Sequence, residues 1–107
     1  MNRARDDKIG AVFAALSDTT RRSVLGEVAR VESVTATELA ESMPVSRQAV
    51  VKHLQVLNRA GLVTSARDGR EVRYSFTAAP LADAAQWMAE EGANWDDRLD
   101  RLRNLLA

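Results

Sequence analysis

Residues 35–76 leave this chain few ways to fold. Thr35 is followed three residues later by Glu38, the pair that makes a reciprocal helix cap, and the apolar set Leu39, Ala40 and Met43 comes before Pro44 stops the helix. Ser46 offers a second N-cap, after which Val50, Leu54 and Leu57 share one helical face until Gly61. Two short helices therefore flank a turn of about three residues. Beyond Gly61 the period changes to two. Val72, Tyr74 and Phe76 alternate with Arg73 and Ser75, as in a half-buried strand, and Asp68-Gly69 is a hairpin turn signal that places the partner strand at about residues 62–66.

The flanks are helical. Ile9, Val12, Phe13 and Leu16 recur at i, i+3, i+4 and i+7, which predicts an amphipathic helix over residues 6–16. Asp18 is an N-cap for a second helix over about residues 19–31, with Val24, Leu25, Val28 and Val31 in period. From Pro80 a spacing of four and three links Leu81, Ala85, Met88, Gly92, Trp95, Leu99, Leu102 and Leu106 into a heptad-like seam, so one long helix should run over residues 80–106. Gly92, costing about 1 kcal/mol against Ala inside a helix, either lets a neighbour approach closely or marks a bend capped by Asn94. No repeat or linker interrupts the chain, so a single domain is expected, with a core over residues 18–77 and association helices at 6–16 and 80–106.

Helix, helix, helix, turn, helix, hairpin, helix is the order of a winged helix-turn-helix, a mainly α fold with a small β-hairpin (α-α-α-α-β-β-α) whose helix after the turn enters the DNA major groove. With Val50, Leu54 and Leu57 buried, a step of about 100° per residue turns Gln48, Lys52, Gln55 and Arg59 outward, with Val51 beside them. Arginine and glutamine match guanine and adenine edges, lysine serves phosphate or guanine, and valine meets a thymine methyl. Base contact is expected from Arg47, Gln48, Val51 and Lys52, while Ser46 caps the helix and meets a phosphate with the exposed amides there. Arg67 and Arg70 at the hairpin tip, with Arg73 on the outward strand face, are placed to track the minor groove or the backbone.

The formal net charge is zero, which at first argues against a nucleic-acid partner. Its distribution argues the other way. Between Pro44 and Phe76 six arginines and lysines face two acids, whereas from Pro80 onward six acids outnumber three arginines. The 46% apolar and 28% charged fractions are those of an ordinary folded protein. The absence of cysteine removes disulfides, thiolate metal sites and a cysteine nucleophile. With one histidine and no phosphate-cradling glycine loop, enzymatic chemistry is not expected. Asp96, Asp97 and Asp100 read as a solvated face paired with Arg98, Arg101 and Arg103. No apolar stretch reaches the roughly 18 residues a membrane span needs and the start is too polar for a secretory signal, so a cytoplasmic location is the default. The competing reading is a protein-interaction or dimerisation module on the same scaffold, without specific DNA binding. Such a module would not require Lys52, Arg59 and the wing arginines to stand unpaired on one side.

The runs "FAALSDTTRRSVLGEVA", "ELAESMPVSRQAVVKHLQVLNRAGLV" and "RDGREVRYSF" resemble the ArsR-type (ArsR/SmtB) family of dimeric repressors over about residues 13–76. The resemblance implies a homodimer built from the first and last helices that blocks its own promoter and is released or tuned by an effector, for which the sequence names no small molecule. Soft-metal sensors of the family carry cysteines at the positions of Thr35 and Thr37, and hydroxyls do not replace thiolates for such metals. The last helix lacks the histidine and carboxylate set of the zinc sensors, and His53 alone is a poor site, so no metal and no cofactor are expected. Thr19 stands where the family commonly has proline, losing some preorganisation at a helix start. Trp87 and Trp95 beside leucines read as core or interface rather than a ligand pocket. The expected C2 interface joins Ile9, Val12, Phe13 and Leu16 to Met88, Trp95, Leu99, Leu102 and Leu106.

Overall fold

The computed structural model describes residues 3–106. Its elements run α1 (Arg3–Ala15), α2 (Thr19–Ala29), β1 (Val34–Thr35), α3 (Ala36–Ser42), α4 (Arg47–Arg59), β2 (Val63–Asp68), β3 (Glu71–Phe76) and α5 (Ala79–Leu106). Local chemistry sets most of the boundaries. Asp18 accepts from the Arg21 N–H at the start of α2, and Ser46 accepts from the Ala49 N–H at the start of α4. Thr35 and Glu38 form the full capping box of α3. At the end of α4 the Leu62 N–H reaches the Leu57 carbonyl and the Gly61 N–H reaches Asn58, a Schellman closure that Gly61 permits at φ +76°.

The arginine pair in "LSDTTRR" has a structural use. Four carbonyls at a helix end lack partners within the helix, and the partial negative charge there attracts cations. Arg21 donates to the Ala14 and Ala15 carbonyls and Arg22 to that of Leu16, so α2 closes the end of α1 with its own first turn.

The core is assembled at the helix crossings. Ile9 and Val12 of α1, Val24 and Val28 of α2, Leu39 of α3, Val50, Leu54 and Leu57 of α4, and Leu62 and Val63 at the entry to the hairpin are buried together. The sheet is three-stranded and antiparallel in the order β1-β3-β2, with Val34 opposite Tyr74 and Val63 opposite Phe76. Its first strand was not expected, because Thr35 serves both as the last residue of β1 and as the N-cap of α3, and two residues carry no readable period. Entry into that strand also ends α2 earlier than expected: bonds from Arg30 to Glu27 and from Val31 to Val28 tighten the last turn and leave Val31 exposed.

The hairpin loop lies one residue further on than the expected Asp68-Gly69 pair. Asp68 pairs with Glu71, and the loop residues are Gly69 and Arg70. Of these two loop residues Gly69 alone has positive φ, +64°, which fits a turn needing the left-handed region at its first loop position alone. β2 correspondingly extends to Asp68 rather than stopping near residue 66.

α5 is continuous through Gly92, at about 1.5 Å per residue roughly 42 Å long. Neither expectation for Gly92 holds within this protomer: the helix does not break, and a Cβ built there would meet nothing within 4 Å. Its first half packs on α1, where Phe13 meets Trp87 edge-on at 5.8 Å and Arg5 pairs with Glu90 at 3.2 Å. Its second half extends past the body, giving extents of 66 × 28 × 20 Å and a radius of gyration of 18.2 Å. A compact chain of this length would have about 13 Å.

Candidate DNA-binding surface

α4 presents two unlike faces. Val50, Leu54 and Leu57 are fully enclosed, which turns Gln48, Lys52, Gln55 and Arg59 to solvent, with Arg47 exposed in the first turn and Val51 half-buried at the boundary. Ser46 is exposed, and its hydroxyl is taken up by the cap to Ala49. Arg47 is not free-swinging, since its Nε donates to Thr37 Oγ1 of α3 at 3.1 Å.

The hairpin carries its arginines in two ways. Arg67 and Arg70 are exposed at the tip. Arg73, expected on the outward face, is instead turned back to the body: its Nε donates to Ser33 Oγ at 2.8 Å and Nη2 to the Ser33 carbonyl, while Nη1 pairs with Glu71 at 3.1 Å and with Glu38 at 3.4 Å. The cause is β1. Arg73 lies opposite Thr35 in the ladder, which brings Ser33 and the α3 cap within its reach. Three elements therefore meet on one guanidinium, and the wing is fixed relative to α3.

Two carboxylates beside this surface are already engaged in helix caps. Glu38 accepts the Thr35 N–H, and that bond, with the Thr35 hydroxyl and then Arg73, holds its carboxyl below the ordinary glutamate range. Asp18 is likewise held low, chiefly by the Arg21 N–H, with smaller contributions from the charges of His53 and Arg21. His53 is itself half-buried on the flank of α4. Between α4 and β3 lies an open cleft of about 530 Å³ lined by Thr37, Arg47, Val51, Arg70, Val72 and Tyr74. Helix face, cleft and wing form one surface in which Arg47, Lys52, Arg67 and Arg70 have no ion-pair partner among the described residues, while Arg59, at the far end of α4, lies toward α1 and the start of α5.

The residues expected at a dimer interface divide. Ile9 and Val12 are 5% and 1% exposed, consumed by this protomer's own core because α1 packs against both α5 and α4, so they do not present an outer face. Leu16 is half-buried against the same core. Phe13, Met88, Trp95, Leu99, Leu102 and Leu106 are exposed, and Arg98 stacks over Trp95 at 5.0 Å. Leu105, 83% exposed, joins them one residue off the seam. Trp87 packs on the core, and neither tryptophan lines the second cleft, about 750 Å³ between α1, the end of α4 and the start of α5. No helix among the described residues is long and apolar enough to cross a membrane.

Comparison with known proteins bears on the family of the chain. The helix-turn-helix domain family matches residues 16–66, from the end of α1 into the wing. The uncharacterized HTH-type transcriptional regulator YuzN of Bacillus subtilis (strain 168) is 42% identical over 77 residues, covering 66% of this chain and 84% of that protein. The transcriptional repressor SdpR of the same organism is 34% identical over 77 residues, covering 72% of this chain and 84% of SdpR. Among solved structures, an ArsR-like transcriptional regulator from Rhodococcus sp. RHA1 superimposes with a TM-score of 0.85 at 43% identity, over 92% of each chain. The similarity runs along most of the length of these regulators, and this chain belongs to the ArsR-type family of winged helix-turn-helix, DNA-binding transcriptional regulators.

Proposed function

We propose that the protein is a homodimeric repressor that binds a near-palindromic operator, with α4 of each protomer in the major groove and the wings on the flanking backbone or minor groove. The observation that carries this reading is the surface on which the donor face of α4 and the tip arginines Arg67 and Arg70 stand without ion-pair partners among the described residues. Arg47, Gln48, Val51 and Lys52 read bases, Ser46 and Gln55 approach the backbone, and Arg67 and Arg70 follow the wing path. Arg73 serves by holding the wing in place rather than by touching DNA.

The second copy is called for by α5. Its outer half exposes Trp95, Leu99, Leu102, Leu105 and Leu106 in near succession, an apolar stripe that one short chain cannot cover. Pairing two such helices would seat two recognition helices roughly 34–36 Å apart, one turn of duplex. As a repressor it would occupy its own promoter and be released by an effector that weakens the operator complex.

The test is a fluorescence-anisotropy titration of the protein against its own upstream DNA and a scrambled duplex at two salt concentrations. Preference for the native duplex by about 10³ or more, falling steeply with salt, is the expected result. Replacing Arg47 and Gln48 together by alanine should remove about 1–3 kcal/mol per residue of that preference. Equal, salt-insensitive binding to both duplexes would instead favour the protein-interaction module.

A further inference from the structure

Thr37 occupies the first turn of α3 but takes no part in its cap, which belongs to Thr35 and Glu38. It is exposed and lines the cleft between α4 and the wing together with Arg47. Its hydroxyl oxygen accepts a hydrogen bond from Arg47 Nε at 3.1 Å. That contact ties the helix before the turn to the first residue of the helix after it, through a side chain expected to touch DNA.

The choice of nitrogen matters. An arginine side chain carries substantial rotamer entropy, which an exposed guanidinium loses only on binding. A bond to Nε fixes the plane of the group while leaving Nη1 and Nη2 unoccupied: among the described residues no hydrogen bond or ion pair engages either of them. Those two nitrogens form the fork that meets paired acceptors such as guanine O6 and N7. The two carboxylates that line the cleft with Arg47 are held elsewhere, Glu38 by the Thr35 N–H and Arg73 and Glu71 by Arg73.

We infer that Thr37 is a positioning residue for base recognition: its hydroxyl holds the Arg47 guanidinium in advance of binding, with the terminal nitrogens presented end-on to a guanine in each half-site. The inference rests on the assignment of Arg47 to a base made above. It adds that the helix before the turn helps set sequence preference without touching a base.

The experiment compares wild type, Thr37→Val and Thr37→Ser on the operator and on operators in which each guanine in turn is replaced by 7-deazaguanine, which keeps its pairing and loses N7. Wild type should lose about tenfold at one guanine per half-site. Thr37→Val should bind the unmodified operator about three- to tenfold more weakly and no longer distinguish 7-deazaguanine at that position, while Thr37→Ser behaves as wild type. All three should melt at the same temperature, since the residue is exposed and outside the cap. Thr37→Val with wild-type affinity and profile, or with a uniform loss that keeps the 7-deazaguanine response, overturns this inference alone. A specific wild type that is insensitive at every guanine overturns the assignment of Arg47 to a base and the inference with it.

Discussion

Four arginines near the wing look alike in the sequence and differ in the folded chain. Arg67 and Arg70 reach into solvent, Arg47 is tethered by one nitrogen, and Arg73 is used up by Ser33, Glu38 and Glu71. Substitutions should separate these roles. Arg70→Ala should leave stability within about 0.5 kcal/mol, weaken binding to every duplex alike and lower the salt slope by about one. Arg73→Ala leaves the Ser33 hydroxyl and carbonyl without their donor and loosens the wing, so it should cost about 1–2 kcal/mol in chemical denaturation before any DNA is added. Nothing in the residue types distinguishes the two, since the difference comes from Thr35 lying opposite Arg73 across a strand two residues long.

At the scale of the element, caps and stops were legible because each rests on chemistry within a few residues. The box of Thr35 and Glu38, the cap of Ser46 and the Schellman closure at Gly61 all formed where the spacing put them. Gly61→Ala should destabilise by about 1 kcal/mol or more in denaturant titrations, because φ is +76°, a conformation a Cβ disfavours. Glu38 makes the cap sensitive to acid. Its carboxyl is more acidic folded than unfolded, so the stabilisation it brings is complete above the ordinary glutamate range and is lost as pH falls through the lowered folded value. Glu38→Gln keeps an acceptor without the charge. Its melting temperature should therefore lie below wild type at neutral pH and fall less steeply below about pH 4.5. What local chemistry did not reveal was β1, too short for a period, and the early end of α2, imposed by the route into that strand.

The whole molecule is governed by a mismatch between a small body and a long helix. α5 runs roughly 42 Å at about 1.5 Å per residue, while of its residues only Ala84 is fully buried. Leu99→Lys together with Leu102→Lys should convert a dimer to a monomer in sedimentation velocity without lowering the helix content of the body. Operator affinity should then fall by more than any single substitution on α4 produces, because two half-sites are no longer engaged together. Gly92, in the same seam with open space around it, is where a second helix could come nearest.

The sequence by itself determined the order of the five helices and the hairpin, though not β1, together with the apolar faces and the donor-rich side of α4, since helical and strand periods and N-caps act over only a few residues. It also exposed the change in charge between the middle of the chain and its end. Only the tertiary structure decided which of two equally apolar surfaces is already spent. Ile9 and Val12 of α1 went into the protomer's core, leaving Phe13 and the outer half of α5 exposed. It alone decided that Arg73 serves the wing and that Arg47 is braced by Thr37, ten residues earlier. Burial and hydrogen-bond partnership depend on what distant segments bring to the same place, and no period in the chain encodes that meeting.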